Sequence, residues 1–133
     1  MATLIEQTAI GGISPFFIVR NVSDAVDHYR KLGFEVRFSE PSEAPFFAIV
    51  GRGGAQIFLK HVGGDVPPLP NVRRHPWVAW DAFVYVAEPD ALADEFEALG
   101  VSFHAPIGNR GDGLRGFEIE DPDGYILFFG RPL

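Results

Sequence analysis

The sequence repeats one pattern in its two halves. The motif Tyr-x-x-Leu-Gly-Phe at 29–34 returns as Phe-x-x-Leu-Gly-Val at 96–101, an offset of 67 residues. The apolar stretch at 54–59 returns at 124–129, an offset of 70. Because two similar units joined in one chain usually meet face to face, the seam between them is a natural place for a ligand.

Size and composition limit what these units can be. The chain has 133 residues, so each half is too small to be stable alone and the halves should share one core. The net charge of −7 and the lack of a basic run argue against nucleic acid and anionic membranes as partners. The chain has no cysteine, no apolar run long enough to span a membrane and no signal-peptide pattern, so we expect a cytoplasmic protein.

The first unit reads as βαβββ over about 12–61. An apolar run at 13–19 predicts a buried strand, and Ser23 is the predicted N-cap of the helix that follows. Gly33 suits the end of that helix, because glycine accepts the left-handed conformation found there. Three more strands are predicted between 34 and 60.

The second unit repeats the order over about 77–131, after a proline-rich connector at about 62–76 that predicts no regular element. A strand is expected at 77–86, and Pro89 suits the first turn of a helix that Gly100 ends. A strand at 101–105, a flexible loop at 108–113 and a hairpin at 117–129 complete the unit. We therefore predict a single domain made of two units.

Two segments resemble motifs of the vicinal-oxygen-chelate superfamily, which contains glyoxalase I, extradiol dioxygenases, fosfomycin-resistance enzymes and bleomycin-resistance proteins. They are 19–29 with the Leu-Gly-Phe that follows, and 117–124, which ends in Asp-Pro-Asp-Gly. The resemblance covers roughly 13–131. It implies an α+β fold in which tandem βαβββ units form a cupped eight-stranded mixed sheet, with the helices on the convex side and the ligand in the cup. It also implies a homodimer, in which units pair within one chain or across two.

The resemblance also implies four metal-ligand positions, one in the first and one in the last strand of each unit. In this sequence they fall on Ser14, Phe58, Asp81 and Phe128. Phenylalanine offers no lone pair and serine is a weak ligand, so a single carboxylate remains, which cannot hold a divalent cation alone. We therefore expect no metal and no other cofactor, as in the bleomycin-resistance proteins.

Trp80 and Asp81 lie beside the expected entrance of the cup, and an aromatic ring next to a carboxylate suits a planar cation. A buried carboxylate needs a partner, so we expect Asp81 to pair with Arg37, Arg115 or a cationic ligand. A metal held by His61, Asp81 and His104 is conceivable, although strand-end positions favour a surface role for both histidines.

These observations favour a metal-independent binding protein without catalytic residues. The expected ligand is an amphipathic or aromatic small molecule, for example a cationic antibiotic of the bleomycin type. The residues expected to bind it are Ser14, Phe58, Trp80, Asp81, Arg115 and Phe128. The alternatives are a metal-dependent lyase, isomerase or dioxygenase of the same superfamily with non-standard ligands, and an interaction module without a ligand.

Overall fold

A computed structural model describes residues 5–133 and contains two βαβββ units in tandem. The first unit comprises β1 (Phe16–Ile18), α1 (Val22–Lys31), β2 (Glu35–Glu40), β3 (Phe47–Arg52) and β4 (Ala55–Lys60). A short helix α2 (Asn71–Arg74) lies in the connector. The second unit comprises β5 (Ala82–Tyr85), α3 (Pro89–Ala98), β6 (Ala105–Asn109), β7 (Leu114–Glu120) and β8 (Ile126–Pro132).

Each unit forms its own mixed four-stranded sheet. The strand orders are β1-β4-β3-β2 and β5-β8-β7-β6, and in each the first strand pairs in parallel with the last. The α+β class and the repeated unit are thus confirmed. The eight strands are divided between two sheets, so β1 and β5 are both edge strands.

Local signals set the ends of both long helices. Gly33 and Gly100 follow them with φ of 84° and 76°, as predicted, and Pro89 is in the first turn of α3. The predicted N-cap of α1 is wrong: Asn21, not Ser23, accepts a hydrogen bond from the Asp24 N–H at 2.9 Å. Both residues are good caps, and the helix begins two residues earlier than the sequence indicated.

Several strand limits differ from the sequence-based expectation. Strand β5 begins at Ala82 rather than at 77, because residues 77–80 do not pair with the sheet and Trp77 is 87% exposed. Strand β6 covers 105–109 rather than 101–105 and includes part of the predicted loop, with a register shift against β7. The connector also contains α2, which the prolines had argued against.

The units share one hydrophobic core and are joined by hydrogen bonds at a buried turn. The turn between β7 and β8 places Asp121 beside α1, where its Oδ2 accepts a hydrogen bond from the Tyr29 hydroxyl at 2.8 Å. The Oδ1 of Asp121 accepts from the N–H groups of Asp123 and Tyr125, both at 2.9 Å. The carboxylate of Asp123 accepts from the Arg20 N–H at 3.0 Å. We call these contacts the inter-unit latch.

The surroundings of the latch shift the pKa values of Asp121 and Tyr29. Burial raises the pKa of Asp121 to about 7, although its hydrogen bonds to Tyr29, Tyr125 and Asp123 oppose the shift. Burial and the neighbouring carboxylate of Asp121 raise the pKa of Tyr29 well above its ordinary value. The folded protein therefore binds a proton at Asp121 in a pH range where the unfolded chain does not.

The Asp121→Asn variant should remove a pH dependence of stability. Because the folded pKa of about 7 exceeds the ordinary 3.8, the contribution of Asp121 is full below pH 4 and is lost as the pH rises through 7. From pH 5 to pH 8 we expect the wild-type free energy of unfolding, relative to the variant, to fall by on the order of 2 kcal/mol. Urea unfolding of both proteins at pH 5 and pH 8 measures this change. If wild type and variant differ in free energy of unfolding by the same amount at both pH values, the raised pKa of Asp121 is contradicted.

Candidate functional site

Each sheet has one face covered by its helix and one face turned away from it. In the first sheet Ala48, Val50, Ile57 and Leu59 lie beneath α1 and are at most 2% exposed. Because side chains alternate along a strand, Phe58 is on the other side. In the second sheet Phe117 and Phe129 contact Phe96 of α3, so Phe128 is turned away. We call these two helix-free surfaces the open faces.

The open face of the second sheet carries a cluster of four aromatic rings. Trp80 lies 4.9 Å from Phe128 and 5.6 Å from Phe83, measured between ring centroids. Phe83 stacks on Phe128 at 5.2 Å and contacts Tyr85 at 4.6 Å. Phe128 itself is fully buried and Tyr85 is 79% exposed, so Trp80, Phe83 and Tyr85 form the accessible surface and Phe128 lies beneath them.

Two glycines on neighbouring strands make room for Phe128. A Cβ on Gly116 would lie 2.6 Å from Phe128 Cε1, and a Cβ on Gly130 would lie 2.5 Å from it. The two glycines pair across β7 and β8, so the phenyl ring lies on bare backbone. The sheet therefore accommodates the Phe128 ring only because both positions beneath it are glycine.

The open face of the first sheet carries a second aromatic cluster. Phe58 lies 6.3 Å from Phe16 and 5.8 Å from Phe47, and Phe47 lies 5.9 Å from Phe38. Phe16 is 55% exposed and Phe38 is 47% exposed. These rings offer apolar surface that the described part of the chain does not cover.

Asp81 is held by the backbone and not by a cation. Its Oδ1 accepts from the Asn71 N–H and its Oδ2 from the Ile126 N–H, both at 2.8 Å. The predicted pairing with Arg37 or Arg115 is therefore wrong. Arg115 extends toward α3, where it forms a two-point ion pair with Asp90 at 2.6 and 2.8 Å. Arg115 shares the helix side of its strand with Phe117, which places it away from the open face.

Ser14 lies apart from the aromatic clusters. It lines a small cavity of about 310 Å³ together with Arg37 and Gln56. Arg37 donates hydrogen bonds to Gln56 Oε1 at 3.2 Å and to the Gly53 carbonyl at 2.9 Å. In the parallel ladder, the residue directly beside Phe58 is Phe16 and not Ser14.

The aromatic partners in the first strand of each unit were missed from the sequence. Phe16 and Phe83 lie directly beside Phe58 and Phe128, two positions after Ser14 and Asp81. Phe16 and Phe83 are 67 residues apart, the offset of the repeat, so the pattern itself could have revealed them.

A cavity of about 780 Å³ lies at the seam between the units. It runs along the free edge of β5 and is closed on the other side by the turn between β3 and β4. Of the six predicted ligand-binding residues, Asp81 lines this cavity.

Sequence comparison assigns the chain to a family. The sequence model of the Glyoxalase/Bleomycin resistance protein/Dioxygenase superfamily matches residues 9–129. The chain belongs to this superfamily. No curated protein sequence matches it significantly.

Solved structures of the superfamily share the fold at low sequence identity. A bleomycin-binding protein in complex with bleomycin is 16% identical with a TM-score of 0.70, and the match covers 92% of this chain and 98% of that one. The bleomycin-binding protein of Streptomyces verticillus with copper(II)-bleomycin is 24% identical with a TM-score of 0.66, covering 97% of both chains. Lactoylglutathione lyase from Agrobacterium tumefaciens is 20% identical with a TM-score of 0.62, covering 93% of both. The superfamily fold therefore occurs in both binding proteins and enzymes.

The residues at the four positions where the resemblance implies metal ligands do not fit a metal. Phe58 and Phe128 have no donor atom, and both carboxylate oxygens of Asp81 already accept backbone hydrogen bonds. The alternative set of His61, Asp81 and His104 does not come together. His61 contacts the Val19 carbonyl, and His104 Nδ1 lies 3.0 Å from Glu118 Oε1. Within residues 5–133 no group of three or more histidine and acidic side chains could hold an ion.

No helix in the described range 5–133 is long and apolar enough to cross a bilayer.

The packing of the Phe128 ring against Gly116 and Gly130 should not tolerate a larger side chain at either glycine. Gly116→Ala places a methyl group against the Phe129 carbonyl oxygen and the Phe128 ring, so we expect a loss of about 2 kcal/mol or more in the free energy of unfolding. Gly108→Ala is the matched control on β6, because its Cβ meets nothing within 4 Å, and it should stay within about 0.5 kcal/mol of wild type. Urea denaturation measures both, and equal stability of the two variants would contradict the packing described.

Proposed function

We propose that this protein binds a planar aromatic, cationic small molecule on its open faces without using a metal ion. The observation that carries the proposal is the aromatic surface around Phe58 and Phe128, two positions where the resemblance implies metal ligands. Phe128 lies on Gly116 and Gly130, and Trp80 and Phe83 pack over it. Planar aromatic ligands stack on such rings, and the faces of the rings attract cations.

The charges around the site favour a cationic ligand. Glu118 is directly opposite Phe128 in the β7–β8 pair, so its carboxylate is on the same open face. It is 15% exposed and contacts His104, which carries a positive charge only when protonated. The whole protein has a net charge of −7, which attracts cations and repels anions.

The superfamily relatives support this choice. Two of the similar solved structures are bleomycin-binding proteins in complex with bleomycin or copper(II)-bleomycin. A metal-dependent lyase, isomerase or dioxygenase would need donors at positions 14, 58, 81 and 128, where the only carboxylate is already occupied by two N–H groups. That donor set favours binding over metal-assisted catalysis.

The proposal includes a homodimer. Phe16, Phe38 and Tyr85 expose 55%, 47% and 79% of their surface on the open faces. Exposed apolar surface of this kind marks an interaction site. A second copy of the chain, placed over the open faces, would complete a cup around the ligand.

Calorimetric titration with metal-free bleomycin in the presence of a chelator tests the proposal. We expect saturable binding by the wild-type protein. Binding by Trp80→Ala should be roughly five- to thirtyfold weaker, because loss of a stacking ring costs about 1–2 kcal/mol. Trp77→Ala is the matched control: Trp77 is 87% exposed and contacts His75 rather than the cluster. It should bind like wild type.

Three results would count against the proposal. Absence of heat with the wild type at high drug concentration removes bleomycin-type drugs as ligands. Equal weakening by both tryptophan variants removes the open face of the second sheet as the binding surface. Light scattering of the same samples tests the dimer, and a single particle of 14.6 kDa would contradict it.

A further inference from the structure

The repeat creates two equivalent contacts between the units. In the first, the turn between β7 and β8 of unit two packs against β1 of unit one, through the latch. In the second, the turn between β3 and β4 of unit one approaches β5 of unit two. Residues of these contacts correspond through the same offsets as the sequence repeat, 67 for the first strand and helix and 70 for the last strand.

Tyr125 fills the first contact. Its ring stacks on Phe17 with centroids 4.2 Å apart and planes 3° from parallel. Its hydroxyl donates a hydrogen bond to the Ile18 carbonyl at 2.8 Å. Tyr125 is 7% exposed and Phe17 is 5% exposed, so two aromatic rings close this contact.

The second contact lacks both rings. The offset of 70 places Ala55 where Tyr125 is in the first contact, and the offset of 67 places Val84 where Phe17 is. Ala55 and Val84 both line the seam cavity of about 780 Å³, with Phe96 and Phe129 in its wall. The cavity is thus the place of a missing tyrosine, and no other side chain of residues 5–133 occupies it.

The backbone keeps the acceptor that such a ring would need. The counterpart of the Ile18 carbonyl is that of Tyr85, which also lines the cavity. The Val86 N–H donates to the Gly130 carbonyl of β8 at 2.9 Å. The Tyr85 carbonyl belongs to the same trans peptide group as this N–H and points in the opposite direction, which is toward the free edge of β5.

The charged groups in the cavity wall are already paired. Arg52 forms a two-point ion pair with Glu95 at 2.7 and 3.0 Å and also donates to the Leu32 carbonyl. Asp81 accepts two backbone hydrogen bonds. The other polar side chain in the wall, Gln56, accepts a hydrogen bond from Arg37 through its Oε1. The remaining side chains of the lining are apolar or aromatic, which favours a neutral ligand.

We propose that the seam cavity is a binding site for a neutral phenol or a similar small hydroxylated aromatic compound. The aromatic ring takes the place that Tyr125 has in the first contact, against Val84 and Ala55. The hydroxyl group donates to the Tyr85 carbonyl. Apolar cavities of this kind bind small aromatic molecules because the ring replaces contacts that the walls lack.

Phenol itself is the probe, followed by amide NMR of the full-length protein. We expect titration with phenol to shift the amide signals of Ala55, Val84 and Tyr85 in a saturable manner. Toluene, which has the same ring without the hydroxyl group, should bind at least fivefold more weakly. The experiment uses no antibiotic, so its result is independent of the proposed drug binding.

Ala55→Tyr should close the site, because it restores the side chain that Tyr125 provides in the first contact. We expect phenol affinity to fall at least tenfold and the melting temperature to rise, since the added ring buries apolar surface. Val84→Phe fills the cavity from β5 and is the second variant should Ala55→Tyr not fold. Tyr125→Ala is the converse variant: it opens the first contact, and phenol should raise its melting temperature more than that of wild type.

The assignment is overturned by either of two results. One is the absence of phenol-induced shifts at Ala55, Val84 and Tyr85 in the wild-type protein. The other is an unchanged affinity for phenol in Ala55→Tyr or Val84→Phe, provided that the variant is folded. Equal affinity for toluene and phenol would overturn the role of the Tyr85 carbonyl.

Discussion

A buried carboxylate holds the two halves of this protein together. Asp121 is 5% exposed and receives three hydrogen bonds, one of them from Tyr29 in the other unit. A buried charge or acid without such partners would be costly, so the turn that carries Asp121 must dock on α1 for the chain to fold. The positions of both sheets, and hence of the open faces and the seam, follow from that docking. The Asp-Pro-Asp-Gly motif therefore acts here as a structural connection.

The two units have diverged in the features that bear on function. Unit two closes its contact on unit one with Tyr125 and the latch, whereas the corresponding turn of unit one ends in glycines and Ala55. Both units also carry phenylalanine at the last-strand position where the resemblance implies a metal ligand, and Phe58 and Phe128 each lie in an aromatic cluster. The first difference leaves a cavity, and the aromatic clusters give an apolar surface. The proposed recognition of aromatic molecules rests on these two features.

The sequence predicted the order of elements within each unit, the helix ends at Gly33 and Gly100, and the family. These depend on local conformation and on spacing, which the sequence carries directly. It did not predict the partners of Asp81, because Asn71 and Ile126 approach it only through the tertiary fold. It also placed Trp77 in a strand, because an apolar run alone does not show whether its first residues belong to the buried strand or to the exposed segment that precedes it. The contrast between Ala55 and Tyr125 was visible in the sequence but acquired meaning only with the contact of Tyr125 known.

The central claim is that aromatic side chains have replaced a metal centre in this member of the superfamily. Elemental analysis of the protein purified without chelators tests that claim most directly, because it requires neither a ligand nor an assay. The account predicts far less than one equivalent of any divalent metal per chain, unchanged in Asp81→Ala. A stoichiometric divalent metal that is lost in Asp81→Ala would contradict it.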